Sequence, residues 1–187
     1  MDSLLLIKSV SEILGIKDVA LVSLVNATET RQIVVSCELE MRDLIMKYMT
    51  DRPETQMLFP SVVNDILATR DKSSLEVRIN GVKDGVYQTE IYDRLTQKSR
   101  SSSFPIRCSD GIFMSVACKL HIYASAEVMR LHSIPYVTGA TKVGLPLSVL
   151  SEKLLKNSLQ MAIETENYEM ASNLRDELNK RHKDKHE

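Results

Sequence analysis

The stretch "LEVRINGVKDGVYQTEIY", residues 75–92, decides the fold class of this 187-residue chain. Apolar Leu75, Val77 and Ile79 alternate with polar residues, a pattern that predicts a strand with one face in water. The wet face is expected to carry the polar residues of the strand: Glu76, Arg78 and Asn80. Asp84-Gly85 is a strong signal for a two-residue turn, and "VYQTEIY" supplies the returning strand. The stretch therefore predicts a β-hairpin.

The segments on either side of this hairpin add strands and helices in mixed order. "LLLIKSV" (4–10), "VALVSLV" (19–25) and "RQIVVSC" (31–37) predict three strands. "ELEMRDLIMKYMT" (38–50) has apolar residues at helical spacing, and "SVVNDILATR" (61–70) predicts a second helix with Ser61 as its N-cap. The apolar run 112–120 and "SAEVMRLHSI" (125–134) predict two more helices. The expected class is α+β, a mixed sheet with helices packed on it.

The chain divides near residue 135. Residues 134–148 contain two Pro and two Gly, so we predict a domain over 1–135, a linker over 136–149 and a helical unit over 150–187. The last unit is expected to form an antiparallel hairpin that breaks near Glu166 and Asn167. Two helices alone bury too little surface to be stable, so this hairpin needs a partner surface in the same chain or in another.

Composition limits the classes of function. The chain carries 24 Lys and Arg against 25 Asp and Glu, which argues against a constitutive high-affinity DNA-binding surface. No apolar stretch reaches the length of a membrane span, and the N-terminal apolar run is expected to be a strand rather than a signal peptide. The three cysteines have no C-x-x-C spacing, which predicts reduced thiols, a cytoplasmic location and neither disulfides nor zinc.

The segment "RCSD", residues 107–110, stands directly before a buried helix and allows two interpretations. Ser109 suits an N-cap, and Asp110 suits the positive end of the helix dipole. Alternatively, Asp110 ligates a metal or orients water while Arg107 holds a phosphate. Cys108 beside the same terminus could have enhanced thiolate character, but no His lies close in sequence to activate it, which argues against a nucleophile. A basic set that could contact phosphates surrounds the nearby Ser-rich loop: Arg94, Lys98, Arg100 and Arg107.

Several segments together resemble the bacterial bifunctional nuclease family. "SCELEMRDLI" stands where that family has an Ile-Gly-x-x-Glu-Ala helix entry, and "IRCSDGIFMSVACKLHIYASAEVM" resembles its Arg-x-Ser-Asp segment. "AIETENYEMASNLRDEL" near the C-terminus resembles the UVR motif, a helical hairpin named for contacts between excision-repair subunits. The sequence departs from the family at Pro105, where the family carries Asp, and at "FPSVVND", where its Arg and His are missing.

The resemblance implies a nuclease that cleaves DNA or RNA phosphodiesters with Mg²⁺ or Mn²⁺. It implies Glu40, Asp65 and Asp110 as catalytic residues, with Asp110 and Glu40 on the metal. The substrate would be held by four residues: Arg107, Ser109, Arg94 and Arg100. The alternative is a catalytically degenerate adaptor that forms a homo-oligomer and binds a partner protein through the UVR-type hairpin. The partner-binding residues would then be Leu155, Leu159, Tyr168, Leu174 and Leu178.

Overall fold

The computed structural model describes residues 2–12, 19–50, 53–69, 74–94, 103–138 and 147–184. Within these ranges the strands are β1 (Ser3–Glu12), β2 (Val19–Asn26), β3 (Arg31–Glu38), β4 (Leu75–Lys83), β5 (Val86–Asp93), β6 (Ser103–Ile106), β7 (His121–Ala124) and β8 (Ile134–Pro135). The helices are α1 (Leu39–Met49), α2 (Phe59–Ala68), α3 (Cys108–Cys118), α4 (Ala126–His132), α5 (Glu152–Glu164) and α6 (Tyr168–Asp184). No helix in these ranges is long and apolar enough to cross a membrane.

All eight described strands belong to one sheet, in the order β6-β5-β4-β7-β1-β2-β3-β8. Every neighbouring pair is antiparallel except β4 and β7, which run parallel from Glu76 beside His121 to Ile79 beside Ala124. The other edge of β7 pairs with β1, so this four-residue strand joins two antiparallel ribbons. The mixed sheet with packed helices confirms the α+β class.

The β4–β5 hairpin forms as its turn residues predict. Asp84 and Gly85 have φ values of 53° and 75°, which suit the two central residues of a type I′ turn. Lys83 pairs with Val86 directly across the turn.

One face of β4 differs from the expectation. Val77 and Ile79 are fully buried as expected, but Glu76, predicted on a wet face, is 3% exposed. Arg78 Nε lies 2.5 Å and Arg94 Nε lies 3.5 Å from its two carboxylate oxygens. The Arg78 guanidinium also stacks 3.8 Å from the Tyr92 ring centroid. The prediction for Glu76 was wrong because two arginine side chains cover the carboxylate and satisfy it in place of water.

Two helix starts also differ from the sequence predictions. The helix predicted from Ser61 begins at Phe59 with Leu58 as N-cap, because Pro60 fits the first turn of a helix. Ser61 instead donates a 2.6 Å hydrogen bond to the Thr55 carbonyl. The helix after β6 begins at Cys108 with Arg107 as N-cap, so Ser109 lies inside its first turn and is not the cap.

The described residues form two hydrophobic clusters. The larger lies between the sheet and helices α1, α3 and α4, where Ile45, Ile112 and Val128 are fully buried. The smaller is built from the C-terminal hairpin, α5 and α6, and includes Leu155, Leu174 and Leu178. Both predicted helices are present, and the turn residue Glu166 between them has a φ of 57°.

A single buried arginine fastens the C-terminal hairpin to the rest of the chain. Arg181 is 7% exposed and donates to the Leu150 carbonyl at 2.6 Å and the Leu147 carbonyl at 2.8 Å. It also reaches the Asp84 carbonyl at 3.4 Å, in the β4–β5 turn, and pairs with Glu177 at 2.9 Å. The hairpin therefore packs on a surface of its own chain.

The predicted linker includes residues 139–146, which lie outside the described ranges. The division into domains therefore stays a prediction.

Candidate functional site

The start of α3 carries an ion pair with two hydrogen bonds. β6 ends at Ile106, and Arg107 keeps an extended backbone before the helix begins. Its Nε and Nη2 donate to the two carboxylate oxygens of Asp110 at 2.6 and 3.1 Å. The Arg107 side chain remains 70% exposed and that of Asp110 27%. Two acidic neighbours raise the pKa of Arg107. Asp110 does so through its hydrogen bond and its charge, and Glu38 does so through its charge. The guanidinium is thus a fixed but accessible cation.

Arg107 and Ser109 line a cleft with a volume of about 650 Å³, which we name the α3–α5 cleft. One wall is the end of β3 with the start of α1, residues 36–38 and Met41. The other wall is α5, which contributes Lys153, Asn157 and Gln160. This volume lies in the range typical of small-ligand sites, roughly 300–1,000 Å³.

The structure does not bring the three predicted catalytic carboxylates into this cleft. Among the described residues, those that line it include Arg107 and Ser109 but not Glu40, Asp65 or Asp110. Glu40 is exposed in the first turn of α1, and Asp65 is exposed on α2 with the Asn64 amide 3.4 Å away. No group of three or more His, Cys, Asp or Glu in the described ranges could hold a metal ion.

The acidic residue that sequence reasoning missed is Glu38. It lines the cleft and lies close enough to Arg107 to raise its pKa, two positions before the predicted Glu40. Glu38 is the N-cap of α1 and has an extended backbone, so its side chain follows the strand rather than the helix. The signal in the sequence was the junction between strand and helix, because Glu38 is the last residue of β3 and directly precedes α1.

Arg94 is the one remaining predicted phosphate contact that lies within the described residues. Arg94 lies 3.5 Å from the buried Glu76 carboxylate, and it is not among the described residues that line the cleft. Arg100 and Lys98 lie outside the described residues.

The predicted partner-binding residues of the hairpin divide by burial. Leu155, Leu174 and Leu178 are at most 8% exposed within the hairpin's own cluster, and Leu159 is partly buried there. In this conformation they hold α5 against α6 and are not presented to a partner. Tyr168 differs, with 70% of its surface exposed at the start of α6.

The cysteines beside the cleft are poor nucleophiles. Burial raises the pKa of Cys108 to about 12, although the neighbouring Thr89 side chain opposes the shift. Burial likewise raises the pKa of Cys37 to about 11, against the opposing charge of Arg42. Cys108 does not gain thiolate character from the helix terminus, because its side chain is buried in the core cluster. All three cysteines are free and buried.

The match to a known family covers the sheet and the helices packed on it. A family model described as the bifunctional nuclease domain matches residues 18–136. The match includes the Arg107–Asp110 pair and one wall of the α3–α5 cleft but stops before α5. A search of curated proteins finds no match to the chain. Because the family model spans more than half of its length, this chain belongs to the bifunctional nuclease domain family.

Proposed function

We propose that the protein is a nuclease that hydrolyses phosphodiester bonds of DNA or RNA with the help of a divalent cation, at the α3–α5 cleft. The observation that carries this proposal is the doubly hydrogen-bonded Arg107–Asp110 pair at the start of α3, beside a cleft large enough for a nucleotide. Membership of the nuclease family supports it independently.

Arg107 is suited to hold the scissile phosphate. A guanidinium presents its donors in a planar fork that matches two phosphate oxygens. The backbone N–H groups in the first turn of α3 have no acceptor within the helix and favour an anion at the same place. A phosphate that enters the cleft therefore competes with Asp110 for Arg107. Once Arg107 turns to the phosphate, the Asp110 carboxylate becomes free for chemistry.

The carboxylates present suit a magnesium site that has few ligands from the protein. Mg²⁺ is commonly held by one or two carboxylates, with water and substrate phosphate as its remaining ligands. Glu38, which lines the cleft, and Asp110, which does not line it but pairs with Arg107 that does, would be those carboxylates. A cation bound there would neutralise charge on the phosphate and activate water. The role of Asp110 is to orient that water or hold the cation, and the role of Arg107 is to fix the phosphate.

The test is cleavage of labelled single- and double-stranded DNA and RNA with Mg²⁺ or Mn²⁺. We expect Asp110→Asn to lower kcat/KM by about 100-fold or more, the usual effect of losing a group that acts in the transition state. Glu127→Gln is the matched control, since Glu127 is an exposed acid in the first turn of α4, outside the cleft. Undiminished cleavage by Asp110→Asn, or no cleavage by the wild type, would reject the proposal.

A second candidate is a non-catalytic adaptor, favoured by an apolar stripe on α2. Phe59, Val62 and Ile66 are 79%, 45% and 57% exposed and lie at helical spacing, with Met57 nearby at 91%. A stripe of this kind is typical of a surface that contacts protein. Under this proposal α2 joins two copies of the chain, while the UVR-type hairpin binds a partner around Tyr168.

Sedimentation over a range of protein concentrations tests the association. Ile66→Asp should shift the protein towards monomer, whereas Val137→Asp, at an apolar residue that is 62% exposed elsewhere, should not. A monomeric wild type would reject the α2 interface.

We also propose a cytoplasmic location, supported by three free buried thiols that suit a reducing compartment. Cell fractionation tests it directly.

A further inference from the structure

The α5 wall of the cleft lies beyond the part of the chain that the family model matches. Lys153, Asn157 and Gln160 recur at i, i+4 and i+7, which places them on one side of the helix. Each of the three is exposed, and each lines the same cleft as Arg107. Two cations, Arg107 and Lys153, and one acid, Glu38, line the cleft together with these amides, and this mixture of groups favours a surface that contacts a ligand.

We propose that α5 is the second wall of a single-strand nucleic-acid groove, in which Lys153 contacts the backbone phosphate next to the one held by Arg107, and Asn157 and Gln160 contact base edges. This inference deepens the proposed function and rests on it for the identity of the ligand. The C-terminal hairpin thereby determines which nucleic acids the nuclease-family domain accepts.

The chemistry of the α5 side chains selects a nucleotide strand over a simple anion. A lysine ammonium suits a phosphate, while Asn and Gln amides offer one donor and one acceptor to the edge of a base. Met41 and Met161 also line the cleft, and their thioethers provide a polarisable surface for the flat face of a base. Inorganic phosphate would leave the amides and methionines without a role.

The size of the cleft selects a single strand over a duplex. Its volume of about 650 Å³ is that of a small-ligand site, so a strand would enter it by part of its length and not as a paired duplex. Single strands bind proteins in this way, with the backbone along a cationic surface and the bases against side chains. In a duplex the base edges lie at the floor of the grooves, so the amides of a concave cleft meet the backbone first, whereas an unpaired strand can turn its base edges to Asn157 and Gln160.

The position of Lys153 is fixed by the contacts that dock the hairpin. Ser151 caps α5 by accepting a 3.3 Å hydrogen bond from the Leu154 N–H, and Leu154 is 4% exposed. The preceding residue, Leu150, gives its carbonyl to the buried Arg181. Val19, at the start of β2, packs against the hairpin cluster and also lines the cleft. The start of α5 is therefore held against the domain, so the second wall has a defined place.

The test is binding of fluorescent six-nucleotide single strands of dT, dA and U in EDTA, followed by anisotropy at several salt concentrations. Lys153→Ala should raise Kd about three- to fivefold at low salt, the effect of losing one exposed charge contact. It should also reduce the slope of log Kd against log salt by about 0.7, the single-strand value for one phosphate contact. Asn157→Ala should leave that slope unchanged and reduce the difference in Kd between dT and dA strands.

Lys156→Ala is the matched control. Lys156 lies on the same helix, carries the same charge and pairs with Glu152 at 2.7 Å, and it is not among the described residues that line the cleft. Its Kd and salt slope should stay at the wild-type values. Equal effects of Lys153→Ala and Lys156→Ala would overturn the inference, since they would reflect net charge alone. Tighter binding of a six-base-pair duplex than of the single strand would also overturn it.

Failure of the inference and failure of the proposed function give different results. Strand binding that depends on Lys153 in EDTA, without cleavage in any metal, supports the groove and rejects the nuclease. Cleavage that depends on Asp110, with Lys153→Ala and Asn157→Ala unchanged in both Kd and kcat/KM, supports the nuclease and rejects the groove. Binding too weak to detect at millimolar protein rejects the groove.

Discussion

Gly85 is the position where a single methyl group should do the most damage to the docked hairpin. Its φ of +75° strains any L side chain, at about 1–2 kcal/mol for alanine. A Cβ there would lie 2.2 Å from the Leu150 carbonyl oxygen and 2.4 Å from Arg181 Nη1. These are the two atoms of the 2.6 Å hydrogen bond that fastens the hairpin, so an alanine Cβ displaces both of them and disrupts the bond. Losing a charged hydrogen bond costs about 1.5–3 kcal/mol.

Gly85→Ala should therefore lower the free energy of unfolding by about 3–5 kcal/mol, or Tm by roughly 6–20 °C in a protein of this size. Urea unfolding followed by circular dichroism measures the change. Hydrogen exchange should show α5 and α6 losing protection before the sheet does, because the damage is confined to their docking contact.

Gly81→Ala is the control for this prediction. Gly81 lies in the same strand pair, has no atom within 4 Å of the place that an alanine Cβ would take, and lacks a positive φ. Its substitution should change stability by less than about 0.5 kcal/mol or raise it slightly. Equal unfolding midpoints for the two variants would refute the reasoning, as would a loss of less than about 1 kcal/mol for Gly85→Ala.

Three further outcomes follow from burial. Alkylation at pH 8 should leave Cys37 and Cys108 unlabelled in the native protein and label them in urea, because burial raises both pKa values far above 8; mass spectrometry measures this. Glu76→Ala should destabilise the fold by about 1–3 kcal/mol in urea unfolding, because it removes the buried acceptor of Arg78, whose side chain is still 29% exposed to water. Burial lowers the pKa of His132, against the opposing charge of Glu127. As the pH falls, the unfolded chain therefore takes up a proton at a higher pH than the folded protein does. Stability should accordingly fall as pH drops below 6.5, and His132→Gln should flatten that dependence in urea unfolding.

The sequence predicts most of the sheet and all six described helices because their patterns are long enough to read. It does not predict β6, β7 or β8, which have four, four and two residues. An alternation needs several periods to be recognised, and these strands are held by their neighbours rather than by their own propensity. Pro105 in β6 lies opposite Glu90 on the outermost strand of the sheet, where a missing N–H is tolerated.

The site was predicted only in part because a cleft depends on residues distant in the chain. Arg107 and Ser109 could be identified from one short segment, and both line the cleft. The opposite wall comes from α5, some fifty residues later, and its place depends on Arg181 reaching the Asp84-Gly85 turn. Charge patterns in a sequence do not reveal such a pairing, and they do not reveal that Glu76 is enclosed by two arginines.

The position of β7 also has a consequence for how the protein is made. β1 has β2 along one edge, but its other edge stays open until residues 121–124 are available. At about 5–20 residues per second, the ribosome needs roughly 6–22 seconds to pass from β1 to β7. During that interval the first three strands expose an edge that could pair with another nascent chain. Synthesis speed through this region therefore bears on the yield of folded protein, and the arrival of β7 covers the start of that edge, Ser3–Leu5.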